Sequence, residues 1–121
     1  MTLRARLAIG WLLVSSATAQ SACVSPPVES KTFSTAAGIV SRLPEVKSWS
    51  SSHAFPVAYD PVAKPLVRKG RCYIAVGVSA DRPERLELWH LFFVHAQSRT
   101  VLIQDSVTGD VISLAQWRAR P

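Results

Sequence analysis

The chain predicts an α+β domain, with one helix early in the folded region followed by an antiparallel meander. Two observations carry this. Ala36, Ile39, Val40 and Leu43 recur at spacings of three and four, the period of one helical face. Beyond Gly70, apolar residues instead alternate or run together in short segments divided by polar turns, as strands do.

The elements follow in order. Residues 20–32 are an extended linker, because Pro26-Pro27 excludes helix there. A helix starts near Ser34 or Thr35, either of which can cap it, and Pro44 ends it. Val46 and Trp49 fall in a short extended piece. Ser50 to His53 is turn-like. Phe55, Val57 and Tyr59 alternate as a short edge strand, with Pro56 confining it to an edge. Asp60-Pro61 and Lys64-Pro65 mark a loop that closes at Lys69-Gly70. Arg71 to Ser79 is a strand with Cys72, Ile74, Val76 and Val78 on one face, in which Gly77 marks a close approach or a bulge. Leu86 to His95 is a longer strand, apolar on both faces and therefore central. Val101 to Ile103 is a third strand. Ser106 to Gly109 is a hairpin loop, where Gly109 takes positive φ without steric cost. Asp110 to Ile112 starts the return strand. Ser113 and Gln116 have capping-box spacing for a last helical turn carrying Trp117.

Residues 1–19 read as a bacterial secretory signal peptide. Arg4 and Arg6 supply the positive start and Leu7 to Val14 an apolar run too short to span a bilayer. Ala17-Thr18-Ala19 supplies a small-residue cleavage site before Gln20. A second ending is open: Ser21-Ala22-Cys23 is part of a lipobox, which would anchor the chain by lipid at Cys23. The folded part is a single domain, 33–121, and the expected address is periplasmic or secreted.

Composition narrows the function classes. The chain has 121 residues and a net charge of +6, and loss of Arg4 and Arg6 lowers this to +4. Basic residues are dispersed, without a run of five like charges, so a nucleic-acid footprint is not supported. In an oxidising compartment Cys23 and Cys72 would pair, and closing a loop of about 50 residues would contribute roughly 4 kcal/mol. Lipidation of Cys23 would instead leave Cys72 a single buried thiol. The two cysteines lack the paired short spacings of a zinc site.

No catalytic set emerges. His90 and His95 are five apart in one strand and so point to opposite faces, and His53 is isolated from both. No H-E-x-x-H, G-x-S-x-G or glycine-rich phosphate loop occurs. Asp81, Glu84 and Glu87 alternate with Arg82 and Arg85, which makes a solvated face. The expectation is therefore a protein that is not an enzyme, with no catalytic, cofactor or metal residues. Trp49, Tyr59, Trp89 and Phe93 are the candidate partner surface.

The final hairpin, Ile103-Gln104-Asp105-Ser106-Val107-Thr108-Gly109-Asp110-Val111, resembles that of PepSY-type domains. Asp105, Thr108, Gly109 and Val111 stand at the places of the pattern v-x-D-x-x-T-G-x-V. The helical segment Ala36–Val46 also fits, and the resemblance spans about residues 33–115. The long stretch from His53 to Gly70 and the aromatics Trp89, Phe92 and Phe93 depart from the pattern. The resemblance implies one N-terminal helix packed on a curved, cystatin-related antiparallel sheet of three to five strands. It also implies binding: an envelope module that inhibits or chaperones a secreted protease or hydrolase. Two alternatives are a periplasmic protein for a small molecule or lipid, walled by Trp89 and Phe93, and an immunity protein against an envelope-targeted toxin.

Overall fold

A computed structural model describes residues 22–121; the signal-peptide segment 1–19 lies outside the described residues. The described residues are α+β, with an antiparallel sheet of six strands and three helices. Helices α1 (Lys31–Ser41) and α2 (Pro44–Ser51) come first. Strands β1 (Val57–Asp60), β2 (Leu66–Arg68), β3 (Arg71–Asp81), β4 (Leu86–His95), β5 (Thr100–Gln104) and β6 (Val111–Ser113) follow, and α3 (Leu114–Arg118) ends the chain. Among the described residues, two helices rather than one precede the sheet, and six strands replace three to five.

Local chemistry explains each departure. Ser30, not Ser34 or Thr35, caps α1: its hydroxyl accepts the Phe33 N–H at 3.1 Å, so the helix begins inside the expected linker. Leu43 is extended (φ −63°, ψ 136°), as a residue before proline prefers, and Pro44 then occupies the first turn of α2, where its missing N–H costs nothing. Pro44 therefore stops one helix and starts the next, and the segment expected to be extended is helical. The spacing of three between Val46 and Trp49 brings both toward the sheet, Val46 fully buried and Trp49 packed against the core.

The sheet runs β1-β3-β4-β5-β6, and β2 also pairs with β3. β1 lies along Gly77–Ala80 and β2 along Arg71–Tyr73, so together they form one interrupted strand on the outer edge of β3. The interruption, residues 61–65, contains both prolines of the expected loop. It passes over Gly77: a Cβ there would lie 2.6 Å from Val62 Cγ2 and 3.3 Å from the Asp60 carbonyl oxygen, well inside contact distance. Of the two readings for Gly77, close approach is the one realised.

Two clusters of buried side chains lie on opposite faces of the sheet. On the helix face, Phe33, Ala36 and Val40 of α1 and Val46 of α2 pack with Val76, Val78, Phe92, Val94, Val101 and Ile103. On the other face Tyr73, Ala75, Leu91, Phe93 and Leu102 form a smaller cluster, with Ala63, Leu66 and Val111 against it. Arg68 of β2 donates from Nη1 to the Val111 carbonyl of β6 at 3.2 Å, so the two edges of the sheet meet over this second face.

Cys23 and Cys72 form a disulfide that fastens the N-terminal arm to the start of β3. A sulfur in this bond cannot also carry a thioether-linked lipid.

Candidate functional site

A β-bulge organises the candidate site. Val78 pairs with His90, but Ser79 pairs with Leu88, leaving Trp89 as an extra residue in β4. Strand alternation would place Trp89 and His90 on opposite faces. The bulge instead brings both to the helix face, where Trp89 stacks on Trp49 of α2 (centroids 4.5 Å apart, planes within 2°). His53 meets Trp49 edge-on at 4.4 Å, and Trp117 of α3 packs edge-on against His90 at 5.2 Å and Phe92 at 6.0 Å. Edge-to-face and stacked pairs contribute about 0.5–1.5 kcal/mol each beyond burial. The cluster thereby ties α2, β4 and α3 into one corner. Arg118 of α3 reinforces it by pairing with Glu45 of α2, and this hydrogen-bonded guanidinium holds the Glu45 carboxyl below its ordinary range.

The four candidate partner residues do not share a surface. Trp49 and Trp89 come together. Tyr59 lies opposite Val78 on the same face, packed against the core, where burial raises its phenol above the ordinary value. Phe93 is only 6% exposed and belongs to the cluster on the opposite face. Trp89 and Phe93 therefore cannot wall one cavity, which removes the sheet-face ligand pocket expected between them.

His90 is half-buried, its Nδ1 lacks a hydrogen-bond partner, and burial holds its pKa below the ordinary value of 6.5. It borders a cavity of about 250 Å³ shared with Gln104, Asp105, Trp117 and Arg120. The buried Asp105 carboxylate accepts the Val107 N–H at 2.8 Å and pairs with Arg120. With the Gly109 N–H donating to the Asp105 carbonyl at 2.8 Å, and Gly109 at φ +77°, these bonds close the D-x-x-T-G hairpin. The aspartate thus serves the turn and its cation. His95 lies on the opposite face, its ring 5.8 Å from that of Tyr73. Both cysteines are in the disulfide. Among the described residues no three His, Cys, Asp or Glu side chains are grouped to hold a metal ion.

Since His90 is harder to protonate folded than unfolded, its contribution is fully present above about pH 6.5 and is lost as the pH falls toward the lowered folded value. Melting temperatures recorded between about pH 8 and pH 5 are expected to fall more steeply for the native chain than for His90→Gln. Parallel curves would show that this imidazole is not the group responsible.

The strand edge beside the cluster is the feature that sequence reasoning missed. β5 pairs with β4 only from Phe92 to His95. Among the described residues, Leu86–Leu91 therefore pair with β3 on one side and with no strand on the other. Leu86 and Leu88 stand 48% and 52% exposed along this edge. Its single charge, Glu87, is engaged by Arg82 at 3.1 Å and Arg85 at 3.8 Å. Natural edges are commonly blunted by lysine, proline or a covering loop; this one carries leucines. No sequence signal marks it, because strand ends are set by the partner's length. Compared with family models, curated proteins and solved structures, the chain matches none of them.

Proposed function

We propose that this chain is an exported, non-enzymatic binding module of the bacterial cell envelope. It takes an extended segment of another envelope or secreted protein along the open edge of β4. The carrying observation is the unpaired stretch Leu86–Leu91 with Leu86 and Leu88 exposed. Strand addition there gives main-chain hydrogen bonds for affinity and leaves the two leucines to select apolar side chains at alternate positions. The stack of Trp49 on Trp89 anchors this part of β4 to α2, so little ordering entropy is lost on binding.

Export is supported by the leader-like residues and by the Cys23–Cys72 bond, which persists in oxidising compartments. In this reading cleavage precedes Gln20 and the mature protein carries no lipid anchor. The PepSY-like hairpin supports binding, in the concrete form of inhibiting or chaperoning a secreted protease or hydrolase.

The test places a photo-crosslinking amino acid at Leu88 and, as a control, at Val67, which is 63% exposed on β2, on the side of β3 away from β4. A discrete adduct is expected from position 88 in the envelope fraction and not from 67. Leu86→Lys should remove that adduct while changing stability by less than about 0.5 kcal/mol, as for an ordinary surface site. The same adducts from both positions, or an adduct that survives Leu86→Lys, would reject the strand-edge reading.

A further inference from the structure

At the end of the sheet away from the tryptophans, two depressions share a wall. The first, of about 460 Å³, has Ile74 and Val94 in its floor and Val24, Ala96 and Cys72 around it. Its size falls in the range of about 300–1,000 Å³ usual for small-molecule sites. The second, of about 380 Å³, is lined by Lys31, Arg42 and Arg99 with the hydroxyls of Ser34 and Thr35. Lys31, Thr35 and Ala96 line both, so an apolar trough opens directly onto a cationic one.

The cationic end is uncompensated. The carboxylates that form ion pairs among the described residues, Glu45, Glu87 and Asp105, engage Arg82, Arg85, Arg118 and Arg120. None pairs with Lys31, Arg42 or Arg99, and residues 1–21 contain no Asp or Glu. Arg42 folds back over α1, its Nη2 3.5 Å from where a Cβ on Gly38 would stand. Arg99 is held in the β4–β5 turn at φ +56°, its N–H donating to the Ala96 carbonyl at 3.2 Å. Lys31 and Arg42 stand at the two ends of α1 on the face that lines this depression, and the packing of α1 beside the β4–β5 turn adds Arg99 to them.

We infer that this continuous groove binds a single-chain anionic lipid. The acyl chain lies over Ile74 between Val24 and Ala96, and the phosphate or carboxylate head sits in the depression lined by Lys31, Arg42 and Arg99. Guanidinium and ammonium groups donate charge-assisted hydrogen bonds to such a head, and the trough removes the chain from water. The groove meets β4 only at its far end, at Val94, whereas the open edge is its first half, Leu86–Leu91, so either reading stands without the other. The disulfide forms part of the trough wall and fixes the arm that carries Val24.

Calorimetric titration of the exported, oxidised protein below the critical micelle concentration tests this. The probes are lysophosphatidic acid with a myristoyl chain, the neutral monoacylglycerol with the same chain, and inorganic phosphate. Saturable binding is expected for the first, at least about tenfold weaker binding for the second, and none for the third. The double variant Lys31→Glu/Arg99→Asn should abolish the preference for the charged lipid. Both changes suit the backbone: an acid is favoured in the first turn of α1, and asparagine tolerates positive φ. An unchanged melting temperature then separates lost binding from lost folding. Equal affinity for the charged and neutral lipids would overturn the inference. So would binding of phosphate alone as tightly as the lipid, absence of saturable lipid binding, or a preference that persists in the double variant.

Discussion

Removal of the disulfide, by Cys23→Ser/Cys72→Ser or by reduction and alkylation of the native chain, is expected to lower stability by about 4 kcal/mol. The bond joins positions 49 apart, and the loop it closes contains α1, α2, β1 and β2. Without it, the unfolded chain regains the freedom of that loop, and residues 22–30 have little regular structure to keep them docked. At about 4–8 °C per kcal/mol for a domain of this size, the melting temperature should fall by roughly 15–30 °C. Thermal melts of oxidised and reduced protein by circular dichroism measure this directly. A difference below about 1 kcal/mol would mean that the reduced unfolded chain is already compact, or that the arm is held by other contacts.

The parts of the fold that could be read from the chain are those in which one local pattern dominates. Helical spacing marked α1, and period-two alternation in β3 and short apolar runs in β4 and β5 marked those strands to within two residues of their observed ends. The capping box of α3 is present with both of its hydrogen bonds, and Gly109 has the positive φ that the hairpin requires. The misreadings occur where one residue serves two elements. Pro44 reads as a stop but is also a start, so α2 looked extended. β2 has only three residues, and its ladder is defined by β3 rather than by its own composition.

The candidate site was harder to read, for a reason of parity. Trp89 and Phe93 are four apart, which in a regular strand puts them on one face. A single extra residue at the bulge turns Trp89 toward the helices and leaves Phe93 in the opposite cluster. The segment Trp89–Val94 is apolar at every position but His90, so it shows no regular alternation to betray the slip. The approach of Arg99 to the α1 face that carries Lys31 and Arg42 was equally hidden: nothing in the sequence places the β4–β5 turn beside that helix.

Truncation of the ring beneath the tryptophan corner, Phe92→Ala, is expected to cost about 3–5 kcal/mol. Phe92 is fully buried in β4, pairs with Val76 on one side and Ile103 on the other, and lies within ring-contact distance of Trp89, His90 and Trp117. The loss combines the transfer free energy of the ring with a cavity that three aromatic neighbours are too rigid to fill. Against a total stability of roughly 5–15 kcal/mol this is a large fraction, so urea unfolding should show a reduced midpoint with an unchanged slope. Phe92→Leu, which keeps most of the volume, should cost less than half as much. The near-ultraviolet circular dichroism of the stacked Trp49 and Trp89 gives a second readout. If the corner depends on Phe92, that signal weakens in Phe92→Ala at temperatures where the far-ultraviolet spectrum is still native. A full tryptophan signal together with a midpoint near that of the native chain would show that the stack and its bulge are held without the ring below. The open edge of β4 would then owe its position to the β3 ladder alone.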